Sequence, residues 1–369
     1  MKMKYILRVI SWALLSLIIQ ASVLLYLDKV YFKHSSDAIQ ITEVKNVIKS
    51  KDLNVVIPAD AKQIQSSFDA KYITYIQNNK LMIIDTDTCT TKEIVTNEGG
   101  ELLYNNWIPK NNIIMVATKK TNSSGDQIIS VFTYNAKNDV ETNVQNDKDY
   151  KEPINYEDGI GVDNIVSSLQ TGVTYVSVSR NKTNSKIYRI DTNGKKTSLK
   201  DKVPEIGDMK AYQHKDVLVY QDSLNKSFYY YTNGKVTKLN FDGMGDLVLL
   251  GANNDNSLVM GVITDNKVTN IISGQISADP KTWTNSITLD EPILPKYVHI
   301  SENGDILVND SLKGKILNLT KQSTISYDGK FIDLNDKVIT SLVDNKIKLK
   351  SVEDIDTPST ITTASTATN

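Results

Sequence analysis

The pattern of apolar and polar residues changes character several times along the chain. Val9 to Leu27 is an uncharged, mostly apolar run of 19 residues. At 1.5 Å per residue it predicts one helix just long enough to cross a hydrocarbon core of about 30 Å. Residues 28–56 are polar and of mixed charge, with Ile39, Ile41, Val44, Val47 and Ile48 spaced partly like one helix face. That spacing predicts a juxtamembrane stalk or a short amphipathic helix. From 57 to 353 the texture becomes runs of five to eight residues rich in Val, Ile, Tyr and Thr, divided by Asn, Asp, Gly and Ser, the signature of strands and turns. The tail, 354–369, is rich in Thr, Ser and Ala, carries no large aromatic residue, and predicts disorder.

Within 57–353 the runs pair into hairpins. Tyr72-Ile73-Thr74-Tyr75-Ile76 is followed by Leu81-Met82-Ile83-Ile84, and Val217-Leu218-Val219-Tyr220 by Phe228-Tyr229-Tyr230-Tyr231. Asn193-Gly194, Asn233-Gly234, Asp265-Asn266, Asp328-Gly329 and Asp344-Asn345 stand between such runs, and these residue types tolerate the positive φ of tight hairpin turns. Turn centres near 87, 136, 193, 233, 265 and 320 are 49, 57, 40, 32 and 55 residues apart, bracketing the period of a four-stranded propeller blade. The prediction is an all-β, β-propeller-like domain of six or seven irregular antiparallel blades preceded by one N-terminal transmembrane helix. An open β assembly is the alternative.

Charge around the first helix sets an expected topology. Lys2, Lys4 and Arg8 precede the apolar run, and Asp28, Lys29 and Lys33 follow it. The positive-inside rule then places residues 1–8 in the cytoplasm and the main domain outside the cell membrane. Trp12, Tyr26 and Tyr31 fall where interfacial aromatics are expected. A cleaved signal peptide is the rival reading, but only Gln20-Ala21-Ser22 comes near a cleavage site, so 9–27 reads as an anchor held in the lipid bilayer.

Composition narrows the partners. Forty-two Lys and Arg balance 43 Asp and Glu, for a formal net charge of -1, which offers nucleic acid no basic footprint. The single cysteine, Cys89, can form neither an internal disulfide nor a Cys-rich zinc site.

Three stretches resemble the S-x-D-G-K phrase, followed by two hydrophobic residues, of TolB-like and dipeptidyl-peptidase IV N-terminal-like propellers. They are Ser67-Phe68-Asp69-Ala70-Lys71, Ser301-Glu302-Asn303-Gly304-Asp305 and Ser326-Tyr327-Asp328-Gly329-Lys330. Trp107-Ile108-Pro109-Lys110-Asn111-Asn112 is similar to the W-x-P-D-x-N variant, and Ala70 stands where the pattern has glycine. The whole chain resembles membrane-anchored propeller-like proteins of clostridial-type bacteria. The resemblance implies an architecture, which does not fix a function. Propeller peptidases similar to it carry their nucleophile in a separate α/β domain, for which the stretch after Glu353 leaves no room.

Catalytic templates are missing: no G-x-S-x-G, no H-E-x-x-H and no phosphate loop occurs, and Gly159-Ile160-Gly161 lacks a third glycine. Neither catalytic, cofactor-binding nor metal-ligating residues are assigned, and no cofactor is expected. Of the histidines, His34 falls in the stalk. His214 and His299 at strand starts could share a metal only if the fold brought them together, and polar strand-end roles account for them otherwise. Asp85-Thr86-Asp87 and Asn253-Asn254-Asp255-Asn256 lack calcium-loop spacing and read as turns. Cys89 reads as an exposed hairpin thiol. Tyr229-Tyr230-Tyr231 must alternate between the two faces of a strand, which could leave some tyrosines free to bind peptide or glycan, although packing within the sheets is the commoner use.

The expectation is a membrane-tethered, extracytoplasmic binding or scaffolding module of the cell envelope, not an enzyme, with an envelope protein or glycan partner. The alternatives are a channel-site lyase or glycan hydrolase, marked by paired inward carboxylates, and a membrane-partnered sensor.

Overall fold

A computed structural model describes residues 2–26, 49–96, 99–144, 153–199, 203–253, 257–276, 280–283, 285–355 and 357–358. The chain divides into two compact units, Met1–Asn46 and Val47–Asn369.

In the first unit a 25-residue helix spans Lys2–Tyr26. Its described side chains are exposed, among them Trp12, Leu17, Ile18 and Leu24. They form one continuous run only over 11–24, about 21 Å of axis, and among the described residues no helix is long and apolar enough to cross a membrane. The helix expected over 9–27 therefore exists and starts earlier, without showing the span. Most of the expected stalk, residues 27–48, lies outside the described residues.

The second unit is a ring of seven antiparallel sheets, which fixes the blade number left open by the sequence and removes the open-assembly alternative. Blades 1 to 6 occupy residues 62–93, 101–155, 160–198, 206–239, 246–293 and 298–326, and blade 7 begins at 330. Each starts with its innermost strand and meanders outward. Innermost strands of neighbouring blades lie side by side, and Lys62–Ser66 of blade 1 touches both Glu101–Trp107 of blade 2 and Lys330–Leu334 of blade 7, closing the circle.

Lys51–Val56 supplies the outermost strand of blade 7, antiparallel to Lys346–Ser351. These six residues fall within the expected stalk and belong instead to the propeller. The cause is burial at alternate positions: Leu53 and Val55, with Ile57 beyond the strand, pack into the core shared by blades 7 and 1. Thr357–Pro358, in the tail expected to be disordered, adds a short strand to blade 6; residues 359–369 lie outside the described residues.

The core is divided. Seven clusters of buried apolar side chains each sit between two adjacent blades, so both faces of every sheet are covered. This settles the tyrosine run in favour of sheet packing. Tyr229 and Tyr231 pack toward blade 3, where Tyr231 meets Tyr175 edge-on, and Tyr230 packs toward blade 5.

Because each blade starts at the axis, the turn between its first and second strands lies at one end of the ring. The second turn, and the link to the next blade, lie at the other end. Blades 1, 3, 5 and 7 make the second turn with two residues both at positive φ: Asn78-Asn79, Asn181-Lys182, Asp265-Asn266 and Asp344-Asn345, the geometry that matches strand twist. The turn near 265 is thus a second turn, whereas those near 87, 136, 193, 233 and 320 are third turns. The third turn of blade 5 lies near its short 3-10 helix Pro280–Thr282.

The four family-like phrases also separate. Those at 67–71, 107–112 and 301–305 form first turns of blades 1, 2 and 6, whereas 326–330 links blade 6 to blade 7 at the opposite end. Gly329 there, at φ +80, packs so closely on the Leu342 carbonyl oxygen that a Cβ would overlap it.

Candidate functional site

The first turns mesh around the axis through hydrogen bonds that their sequences dictate. In blade 1, Ser67 Oγ and the Lys71 amide both donate to Asp69 Oδ1 at 3.1 Å, while the Tyr72 amide donates to Ser67 Oγ. This Asp- and Ser-centred turn holds Ala70 at φ +52, a left-handed conformation that glycine takes more readily. Asp69, fixed in this way, accepts from Asn112 Nδ2 of blade 2 at 3.1 Å. On its other side, Asn335 Nδ2 of blade 7 donates to Ser66 Oγ and the Ser67 carbonyl, and Asp333 accepts from the Ser66 amide and hydroxyl.

Blade 7 then joins blade 6. Asp336 accepts from the Glu302 amide at 3.0 Å and lies 2.8 Å from His299 Nε2. Glu302 in turn pairs with Lys110 of blade 2. The contacts run blade 1 to 2, 2 to 6, 6 to 7 and 7 to 1, a closed circuit of turns around the mouth. Lys337 of blade 7 lies over the Phe68 ring, 5.1 Å from its centre.

The Lys110–Glu302 pair is asymmetric. Glu302 keeps 15% of its side chain exposed and Lys110 51%. Glu302 Oε2 meets the ammonium, whereas Glu302 Oε1 is buried and has no hydrogen-bond partner among the described residues; Asn112 Oδ1, two residues beyond Lys110, is in the same condition. Lys110 itself sits at φ +59.

A second polar cluster joins blades 3 and 4. Tyr175 Oη donates to Asp216, which Arg189 engages through Nε at 3.0 Å and Nη2 at 2.7 Å. Burial, then the hydrogen bond to Asp216, pushes the Tyr175 phenol well above its ordinary range. Every member is bonded to another, and the arrangement clamps two blades without presenting a reactive group.

The residues weighed in the sequence are dispersed. His214 is exposed on the first turn of blade 4, and His299, on the innermost strand of blade 6, is engaged by Asp336. His34 lies outside the described residues, and among those described no group of three or more His, Cys, Asp or Glu could hold a metal. Asp85 accepts from the Asp87 and Thr88 amides within its own turn. Asn253 accepts from the Ser257 amide at 2.9 Å, and residues 254–256 lie outside the described residues. Cys89 is exposed in a third turn at φ +57. Sequence reasoning missed the Lys110–Glu302 pair. Its signal would have been opposite charges in two family-like phrases at equivalent first turns, visible only once those turns were known to share an axis.

No protein-family model and no curated protein sequence matches the chain. Solved structures do. A chain of the mitotic checkpoint complex is similar over 82% of this chain and 93% of that one, with TM-score 0.52 and 11% identity. A chain from a study of two prolyl endopeptidases is similar over 72% of this chain and 42% of that one, with TM-score 0.50 and 12% identity. This chain thus matches less than half the length of the latter, and at such identities the likeness is one of fold, a seven-bladed propeller.

Proposed function

We propose that the protein is a membrane-tethered binding or scaffolding module whose propeller stands on the outer side of the cell membrane and holds an envelope protein or glycan partner. The observation that carries the binding reading is the mouth at the first turns. Four blades hold charged groups of both signs there in mutually bonded positions, and a few convergent polar groups held in place are what fixes the orientation of a bound partner. Catalysis is not part of this reading. The mouth carboxylates Asp69, Glu302 and Asp336 are each engaged by donors of neighbouring turns.

Tethering rests on the helix Lys2–Tyr26, whose described apolar side chains are exposed on every side. Exposed apolar side chains in that number call for a cover, which a bilayer surface or a partner would supply. Lys2, Lys4 and Arg8 ahead of its apolar run and the mixed charges after it support the inside-to-outside direction.

Cys89 provides the test, as the chain's single thiol. Labelling by a membrane-impermeant maleimide in intact cells is expected. Labelling that needs permeabilisation would place the propeller in the cytoplasm and end the envelope reading. Cross-linking from the mouth should then capture a partner, and loss of that capture on substitution of mouth residues would identify the face used.

A further inference from the structure

The mouth carries more chemical information than its role as a binding face requires. Glu302 is a part-buried side chain whose Oε2 is met by a single, half-exposed ammonium and whose Oε1 is buried without a hydrogen-bond partner among the described residues. A carboxylate presents two acceptor oxygens side by side, and the group that fits both is the planar, forked guanidinium. An ammonium is a point charge and fills one. The backbone below Glu302 is anchored, since its amide donates to Asp336, which also holds His299. The carboxylate is therefore presented from a fixed turn.

Lys110 is the more exposed half of the pair. It sits on a turn at positive φ, on a long flexible side chain, and reaches Glu302 from a different blade. Its turn also carries Asn112, whose Nδ2 is committed to the Asp69 carboxylate. That commitment fixes the amide orientation and leaves Oδ1 as a second buried acceptor without a partner. Two unsatisfied acceptor oxygens thus stand on the two turns that Lys110 and Glu302 bring together. A guanidinium offers five donors, enough for both carboxylate oxygens and an amide oxygen.

We infer that the mouth takes the arginine side chain of a peptide partner, with Glu302 as its carboxylate receptor, Asn112 as an accessory acceptor and Lys110 as the cation it displaces. This rests on the binding reading given above and names the chemistry of the partner. Lys110 acts as a placeholder: it neutralises Glu302 when the mouth is empty and swings into solvent when an arginine enters.

The test uses the full chain in detergent micelles, titrated calorimetrically with acetyl-Ala-Arg-Ala-amide and, separately, acetyl-Ala-Lys-Ala-amide. The arginine peptide should bind at least about tenfold more tightly than the lysine peptide, because the bidentate pair is available only to it. Lys110→Ala should tighten the arginine peptide several-fold by removing the competing cation, and Glu302→Gln should weaken it by about tenfold or more. Equal affinity for the two peptides, unchanged binding in Glu302→Gln, or no saturable binding in Lys110→Ala would each overturn the assignment. Should Glu302→Gln fail to fold, the Lys110→Ala titration decides the matter. A chain that captures an envelope partner but ignores the arginine peptide ends this inference alone, whereas arginine binding by a chain whose Cys89 faces the cytoplasm keeps it and ends the envelope placement.

Discussion

Two buried phenols differ in what their hydroxyls touch. Tyr175 donates to Asp216, whereas Tyr212 Oη is buried without a partner among the described residues. Removing a bonded buried hydroxyl leaves its acceptor short, but removing an unpartnered one relieves a cost. Tyr175→Phe should therefore destabilise by about 1–2 kcal/mol and Tyr212→Phe should be neutral or stabilise by up to about 1 kcal/mol in urea unfolding at pH 8. Burial raises both phenol pKa values above the ordinary 10. The unfolded chain then loses these protons before the folded one does. Their contribution to stability is fully present below about pH 10 and falls away as pH rises through the folded values. Tyr212→Phe should consequently lose less stability than the parent between pH 9 and pH 11. The sequence showed that Tyr229-Tyr230-Tyr231 alternate, but alternation marks an exposed face only when one face of the sheet is free. Blades are covered on both faces, so the same pattern conceals three packed side chains.

At the scale of elements, turn chemistry was the most legible signal and also the source of the misassignments. A two-residue turn with both φ positive announces where the chain reverses, and Asp265-Asn266 announces it well. It does not say whether the reversal joins strands two and three or strands three and four. The third turn of blade 5, near Pro280–Thr282, is longer and carries no such local signal, so the repeat looked irregular there. The phrase at 326–330 follows the same sequence pattern as the first-turn phrases while serving as an inter-blade link. In the second turn of blade 3, Lys182 occupies a left-handed position at φ +60. Lys182→Gly should stabilise by about 0.5–1 kcal/mol, because glycine takes that conformation without strain. Thermal unfolding of the variant beside the parent checks it, and a fall in midpoint would count against the turn assignment.

For the whole molecule, seven blades and their succession were nearly readable from hairpin spacing, but the closure was not. Lys51–Val56 lies in a polar stretch whose buried positions, Leu53 and Val55, are too few to stand out from a stalk, and its partner strand Lys346–Ser351 is almost the full length of the domain away in sequence. Burying Leu53, Val55 and Ile57 is worth about 1.5–3 kcal/mol for each side chain. A chain beginning at Val47 should keep the parent's unfolding midpoint to within a few degrees. One beginning at Ile57, which lacks the closing strand, should melt with lost cooperativity or aggregate on size-exclusion chromatography. The same closure imposes a timetable on synthesis. The strand that completes the last blade is among the first parts of the propeller to be made, and its partner is nearly the last. At 5–20 residues per second, that leaves it waiting for about 15–60 s. Throughout that interval the ring is an open arc with unpaired strand edges at both ends, the condition that favours joining to another chain. The nascent protein therefore depends on whatever shields those edges until its own terminus returns to the ring.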